Sequence, residues 1–100
     1  MEIIWTETGL TTLEEISGFI AKDSPSNADR LIREIYGKVD LLIGTPRIGT
    51  KPNEMERSDI LQILHGNYKI VYKISGNTIS IIAVIHGSRD FNKLRDDLKI

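Results

Sequence analysis

The sequence predicts an α+β fold, in which an N-terminal strand and a two-helix hairpin pack on one face of an antiparallel sheet with a three-strand C-terminal meander. In the first half of the chain, apolar residues recur at the three- and four-residue steps of a helix face. In the second half, the pairs Gly66-Asn67 and Gly76-Asn77 separate runs rich in isoleucine, valine and tyrosine, a pattern typical of β-hairpins. We expect these 100 residues to form one domain, 1–100.

A short strand and a first helix are predicted at the start of the chain. Residues 1–6 include two isoleucines and a tryptophan, which are residue types that favour strands. The helix that follows is indicated by apolar residues with helical spacing: Leu10, Leu13, Ile16 and Ile20. Three threonines could serve as its N-terminal cap: Thr6, Thr8 or Thr11.

A second helix has the clearest periodicity. Ser24 suits the N-cap and Pro25 the first helical position, where a backbone N–H is not needed. One apolar stripe then follows: Ala28, Leu31, Ile32, Ile35, Val39, Leu42 and Ile43. We expect the helix to end near Gly44, ahead of Pro46, so that the two helices form an αα-hairpin. Residues 44–59 have no periodicity and form a long loop, which is typical of functional segments.

Three strands are expected at residues 60–65, 68–74 and 78–86, followed by a charged tail (91–100) that forms a short helix. With two-residue turns, the face that the helices cover is nearly all apolar: Leu61, Ile63, Tyr68, Ile70, Tyr72, Ile74, Ile79, Ile81, Ala83 and Ile85. The opposite face is mixed: Gln62, Leu64, Lys69, Val71, Lys73, Ser80, Ile82, Val84 and His86. Such a mixed face is a candidate binding surface, and a slip of one residue would exchange the two faces.

Composition excludes several classes of protein. There is no cysteine, so disulfides and thiolate chemistry are ruled out. No apolar run approaches the roughly 20 residues of a membrane span and no signal peptide is evident, so we expect a cytoplasmic protein. The net charge of −1 argues against a generic nucleic-acid binder, although residues 1–59 have a charge of −4 and residues 60–100 a charge of +3.

A small set of polar residues could do chemistry. Arg57, Lys69, Lys73 and Arg89 could hold phosphates, and His86 could transfer a proton near neutral pH. Cleavage of RNA by its own 2′-hydroxyl needs little more than these groups. The structural alternatives are a histidine bonded to a backbone carbonyl, an Arg89–Asp90 ion pair and solvated lysines. We expect neither a metal nor a cofactor, because no ligand spacing or glycine-rich phosphate loop is present.

Five stretches together resemble the RelE/ParE superfamily of toxins from type II toxin-antitoxin modules. They are Trp5-Thr6, Asp23-Ser24-Pro25-x-x-Ala28, Leu42-Ile43-x-x-Pro46-x-x-Gly49, Gly66-Asn67-Tyr68-Lys69-Ile70-Val71-Tyr72, and Ile79-x-Ile81-Ile82-x-Val84-Ile85-His86-Gly87-Ser88-Arg89-Asp90. The resemblance covers roughly residues 1–91. It implies a small toxin that stabilises plasmids, inhibits growth and is neutralised by a co-expressed antitoxin.

The resemblance also implies one of two targets. RelE-like members cleave messenger RNA on the ribosome, whereas ParE-like members inhibit DNA gyrase and have no nuclease site. RelE-like enzymes place an arginine near Gln62 or Leu61 and often a tyrosine at the C-terminus, and both are missing here, although Arg89 matches the arginine after the last strand. The ParE-like interpretation is therefore favoured.

Six residues are candidates for roles beyond the fold. His86 and Arg89 are catalytic only if the chain is a nuclease. Arg57, Gln62, Lys69 and Lys73 are the candidate contacts to a target or RNA. A third reading is an interaction module with this fold that is no longer toxic. In all three readings, we expect the helix hairpin and the exposed sheet edges to serve the antitoxin.

Overall fold

The computed structural model describes residues 1–52 and 57–87. The predicted α+β fold is confirmed, with the expected strand, helix hairpin and meander in the expected order. The elements are β1 (Glu2–Trp5), α1 (Glu7–Ala21), α2 (Pro25–Asp40), a 3-10 helix (Leu41–Ile43), β2 (Ile60–His65), β3 (Tyr68–Ser75) and β4 (Thr78–His86). The short helix predicted at residues 91–100 lies outside the described residues.

The four described strands form one mixed sheet in the order β1-β4-β3-β2. The pairs β2–β3 and β3–β4 are antiparallel, as predicted for the meander. The N-terminal strand departs from the prediction, because β1 pairs in parallel with β4 and extends the sheet instead of packing on its face. β4 is apolar on both sides and therefore takes a central position with a neighbour on each edge.

Local sequence signals account for the ends of the helices. The N-cap of α1 is Thr6, whose hydroxyl accepts a hydrogen bond from Gly9 N–H at 2.9 Å. Ser24 caps α2 by accepting from Asn27 N–H at 3.3 Å, with Pro25 at the first helical position as predicted. Both hairpin turns have two residues, and each begins with a glycine at a φ of 59°.

A β-bulge interrupts the pairing of β3 with β4. Tyr72 pairs with Ile81 and Val71 pairs with Ala83, so Ile82 has no partner on β3. An extra residue in a strand reverses every side chain beyond it. The alternation predicted for β3 and for the first part of β4 holds, but it fails after the bulge.

Because of this reversal, four side chains lie on the opposite face of the sheet from the one predicted. Val84 and His86 were expected on the face away from the helices, yet Val84 belongs to the core under the helices and His86 pairs with Tyr68 on that same side. Ala83 and Ile85 were expected under the helices, yet they lie on the opposite face in a second cluster with Ile60, Val71 and Ile82. We call this opposite side of the sheet the second face.

The start of α1 supplies hydrogen-bond partners to β4 where β4 continues past the end of β1, beside the bulge. Thr6 donates from its backbone N–H and its hydroxyl to the Ile81 carbonyl, at 3.1 and 2.9 Å. Nearly two helical turns later, the Thr12 hydroxyl accepts from Val84 N–H at 2.9 Å. Gly9 lies between these threonines, and an added Cβ would strike the Ile81 carbonyl. The lack of a side chain at Gly9 therefore lets α1 lie directly against β4.

We expect Thr12→Val to destabilise the fold by about 2 kcal/mol, because it leaves the buried Val84 N–H without an acceptor. Thr11→Val is the matched control, since Thr11 is exposed on the same helix and its replacement should change stability by less than about 0.5 kcal/mol. Urea unfolding followed by circular dichroism measures both. Equal midpoints for the two variants would contradict the role assigned to Thr12.

A second pair of variants tests the close approach of α1. Gly9→Ala should destabilise the fold, because its Cβ meets a backbone carbonyl that cannot move aside. Gly18→Ala on the same helix meets no atom within 4 Å and should stabilise it by about 1 kcal/mol through helix propensity. Thermal unfolding should show a lower melting temperature for Gly9→Ala and a higher one for Gly18→Ala. A stabilised Gly9→Ala variant would show that α1 does not touch β4 as described.

Candidate functional site

Three of the predicted target-binding residues lie on the second face. On β3, Lys69 pairs with Ile85 of β4 and Lys73 pairs with Ser80 of β4. On β2, Gln62 pairs with Val71 of β3. Their side chains surround the buried aliphatic cluster of this face. The structure therefore brings Gln62, Lys69 and Lys73 together, on the mixed surface that the sequence predicts.

Arg57 is held by a carboxylate close to this surface. Its Nε and Nη2 donate to Asp59 Oδ1 and Oδ2 at 3.0 and 2.7 Å, a bidentate pair. This hydrogen bonding holds the pKa of Asp59 below its usual value and raises the pKa of Arg57. The positive charge of Lys73 also lowers the pKa of Asp59. Arg57 thus lies beside a carboxylate that also senses Lys73, and Asp59 compensates much of the charge of Arg57.

His86 lies on the other side of the sheet. Its ring contacts Tyr68 edge to face, with the centroids 5.5 Å apart. Tyr68 is also the cross-strand partner of His65, whose Nε2 lies 3.7 Å from Glu34 Oε1 on α2. Two imidazoles, a phenol and a carboxylate therefore form a row across β2, β3 and β4 on the helix side of the sheet.

The predicted set is consequently divided between two faces. Lys69 and Lys73 lie on the second face and His86 lies on the helix side, so the structure does not bring these lysines and the proton-transfer group together. Arg89 lies outside the described residues, and its role stays a prediction. Sequence reasoning did not align His86 with Tyr68 and His65, because the bulge at Ile82, which places His86 on their side of the sheet, leaves no local signal.

Hydrogen bonds from the Tyr72 hydroxyl hold the loop after α2 against the sheet. The side chain of Tyr72 is fully buried, and its hydroxyl donates to the Pro46 carbonyl at 2.8 Å and accepts from Gly49 N–H at 3.1 Å. Burial raises the pKa of this phenol. Further along, Thr50 exchanges two backbone hydrogen bonds with Gln62, of 2.9 and 2.8 Å. This part of the loop therefore runs along the outer edge of β2.

An apolar groove of about 260 Å³ lies between this loop, the end of α2 and β2. We call it the edge groove. Its principal lining residues are Lys38, Leu41, Leu42, Ile48, Ile63 and Leu64. Sequence reasoning did not find this groove, because its residues come from a helix end, an aperiodic loop and a strand that only the tertiary structure brings together.

Other kinds of site find little support in the described part of the chain. Residues 1–52 and 57–87 contain no group of three or more His, Asp or Glu side chains able to hold a metal ion. Neither α1 nor α2 is long and apolar enough to cross a membrane. The features that remain are the charged second face, the histidine row and the edge groove.

Comparison with known proteins assigns the family. The profile of the ParE toxin of the type II toxin-antitoxin system parDE matches residues 3–91. The protein named Putative toxin Y4kP of Sinorhizobium fredii (strain NBRC 101917 / NGR234) is 33% identical over 89 residues, which is 89% of this chain and 91% of Y4kP.

Two solved structures share the fold. One is described as the chromosomal ParDE system from P. aeruginosa, with a TM-score of 0.71, 17% identity, and coverage of 86% of this chain and 95% of that one. The other is described as the RelBE2 toxin-antitoxin complex from Mycobacterium tuberculosis, with a TM-score of 0.54, 22% identity and coverage of 85% and 95%. The family match spans most of the chain, and the chain therefore belongs to the ParE toxin family of type II toxin-antitoxin systems.

Proposed function

We propose that this chain inhibits growth by binding DNA gyrase, and that a cognate antitoxin neutralises it. The observation that carries the proposal is the division of the candidate residues between two faces of the sheet. A general base must lie within about 3 Å of the proton that it removes. His86 and the two lysines lie on opposite sides of a sheet, and this favours action by binding over cleavage of one phosphodiester by these residues together.

The second face is the surface that we assign to the target. Lys69 and Lys73 provide positive charge, Gln62 provides an amide, and Val71 and Ile82 provide an aliphatic centre. A patch with an apolar centre and a charged rim is typical of a protein interface. Arg57 joins this rim and can exchange Asp59 for a carboxylate of the target, because both side chains are partly exposed.

Family membership supports an antitoxin as partner and a cytoplasmic location. The two structural neighbours are described as a ParDE system and a RelBE2 toxin-antitoxin complex. Membership in the ParE family supports the same kind of partner here. Gyrase acts on DNA inside the cell, so we assign the protein to the cytoplasm, with residues 1–100 acting as one toxin domain without a cofactor.

One observation favours a second candidate, a RelE-like endoribonuclease that acts on messenger RNA at the ribosome. His65, Tyr68 and His86 form a row of groups that can bind or transfer protons, with Glu34 beside His65. A metal-independent nuclease would use this row, together with Arg89, for proton transfer and phosphate contact.

Induction of the chain in cells without the antitoxin separates the two functions. Pulse labelling should show DNA synthesis falling before protein synthesis, and the purified chain should inhibit supercoiling by gyrase. If messenger RNA on ribosomes were cleaved and supercoiling were unaffected, the endoribonuclease function would replace the proposal. An unchanged growth rate would indicate the third reading, an interaction module that is no longer toxic.

Charge reversal on the second face tests the target surface. The double variant Lys69→Glu/Lys73→Glu should weaken inhibition of supercoiling by about tenfold or more, because both residues lie in the proposed interface. Lys22→Glu on α1 is the matched control for the change of charge. His65→Ala/His86→Ala should retain growth arrest if gyrase is the target and should abolish it if the histidine row is catalytic.

A further inference from the structure

We propose that the C-terminal segment, residues 88–100, covers the second face as an amphipathic helix and must move away before a target can bind there. The inference rests on the proposed function in taking the second face as the target surface. It goes further by naming what occupies that face in the free chain and how access to it is regulated. Residues 88–100 lie outside the described part of the chain, whereas the second face lies within it.

The first observation is the burial of the second face. Ile60, Val71 and Ala83 are 0% exposed, and Ile82 and Ile85 are 6% and 5% exposed. The described helices pack on the opposite face, and the buried cluster of the second face consists of residues from β2, β3 and β4 alone. An uncovered sheet face leaves its side chains open to water. Another segment of the chain therefore excludes water from this cluster.

The loop before β2 meets the sheet on the wrong side to provide all of this cover. Thr50 of that loop pairs with Gln62 along the outer edge of β2. The buried residues Ile82, Ala83 and Ile85 belong to β4, two strands further into the sheet. Two strand spacings amount to about 10 Å. The cover over β4 therefore comes from elsewhere.

The C-terminal segment begins at the right place to provide it. β4 ends at His86, and Gly87 N–H donates to the Asn67 carbonyl at 2.6 Å, so the chain leaves the sheet beside the turn between β2 and β3. Ile85, at one end of the buried cluster, is two residues earlier. The helix predicted at residues 91–100 would be about 15 Å long. This length is enough to cross three strands at about 5 Å each.

The apolar residues of the segment have the spacing of one helix face. Phe91, Leu94 and Leu98 recur at i, i+3 and i+7. Apart from Ile100, the other residues from 92 onward are polar or charged. Such a stripe needs an apolar surface to pack against, and the aliphatic cluster of the second face offers one.

Charge complementarity identifies this segment as the occupant. Lys69 and Lys73 flank the cluster, and neither forms a salt bridge with any residue that the structure describes. The C-terminal segment contains three acidic residues, Asp90, Asp96 and Asp97. A second copy of this chain, packed through the same face, would instead bring the lysines of both copies together.

Methyl NMR of the full-length chain tests the cover directly. We expect nuclear Overhauser contacts from the methyl groups of Leu94 or Leu98 to those of Ile82. Leu13 in the core under the helices is the internal control and should show no contact with either leucine. The cover is overturned if both leucines lack contacts with the second face, if Met55 of the loop makes them instead, or if isotope-filtered spectra show that they join two copies.

A reversible lock tests the regulation. Because the chain has no cysteine, a cysteine at Ile82 can be paired in turn with one at Leu94 and one at Leu98. At least one pair should form a disulfide, and the oxidised chain should inhibit gyrase about tenfold less than the same chain after reduction. Ile82→Cys alone is the matched control and should respond equally with and without reductant. A chain in which neither pair closes would contradict the cover.

The two measurements keep this inference separate from the proposed function. If the wild type inhibits supercoiling and its C-terminal leucines make no contact with the second face, the inference fails and the proposed function stands. If the contacts are present and the wild type does not inhibit supercoiling, the cover stands and the proposed function fails. If the locked chain inhibits as strongly as the reduced one, access to the target is not regulated by this segment.

Discussion

The contact between α1 and the bulge in β4 is the constraint on which the rest of the structure depends. β1 ends opposite Ile81, just before the bulge at Ile82, so β4 continues past the end of β1. Because β4 is buried, its backbone groups there need other partners. Thr6 and Thr12 supply them from one side of α1, and the absence of a side chain at Gly9 lets the helix come close enough. Helix and bulge therefore stabilise each other.

The bulge also decides which chemistry each face of the sheet can offer. Without it, His86 would lie on the same face as Lys69 and Lys73, and a proton-transfer group would face two cations. With it, His86 lies against Tyr68 on the helix side, and the lysines surround an aliphatic cluster. One inserted residue thus separates the second face from a row of histidines, and this separation is the basis of our proposal that the chain binds gyrase and does not cleave RNA.

Local patterns were sufficient to predict the elements of the fold, and long-range contacts explain what was missed. The Ser24-Pro25 cap, the apolar stripe of α2 and the two Gly-Asn turns depend on residues close in sequence, and each is found where predicted. The bulge is visible only in the pairing of β3 with β4, and the hydrogen bond beside it joins Thr12 to Val84, 72 residues apart, so no window of sequence reveals it. Every predicted side-chain position after Ile82 was consequently reversed.

The edge groove follows from a similar long-range constraint. The Tyr72 hydroxyl fixes the loop after α2, and Thr50 then pairs with Gln62 on the outer edge of β2. The same loop therefore covers one part of an exposed strand edge and leaves the part at Leu64 open beside apolar side chains. Open apolar edges promote aggregation unless something covers them. A partner that binds only the folded chain also stabilises it by mass action. Any partner that covered this edge would therefore both hide an aggregation-prone surface and favour the folded chain.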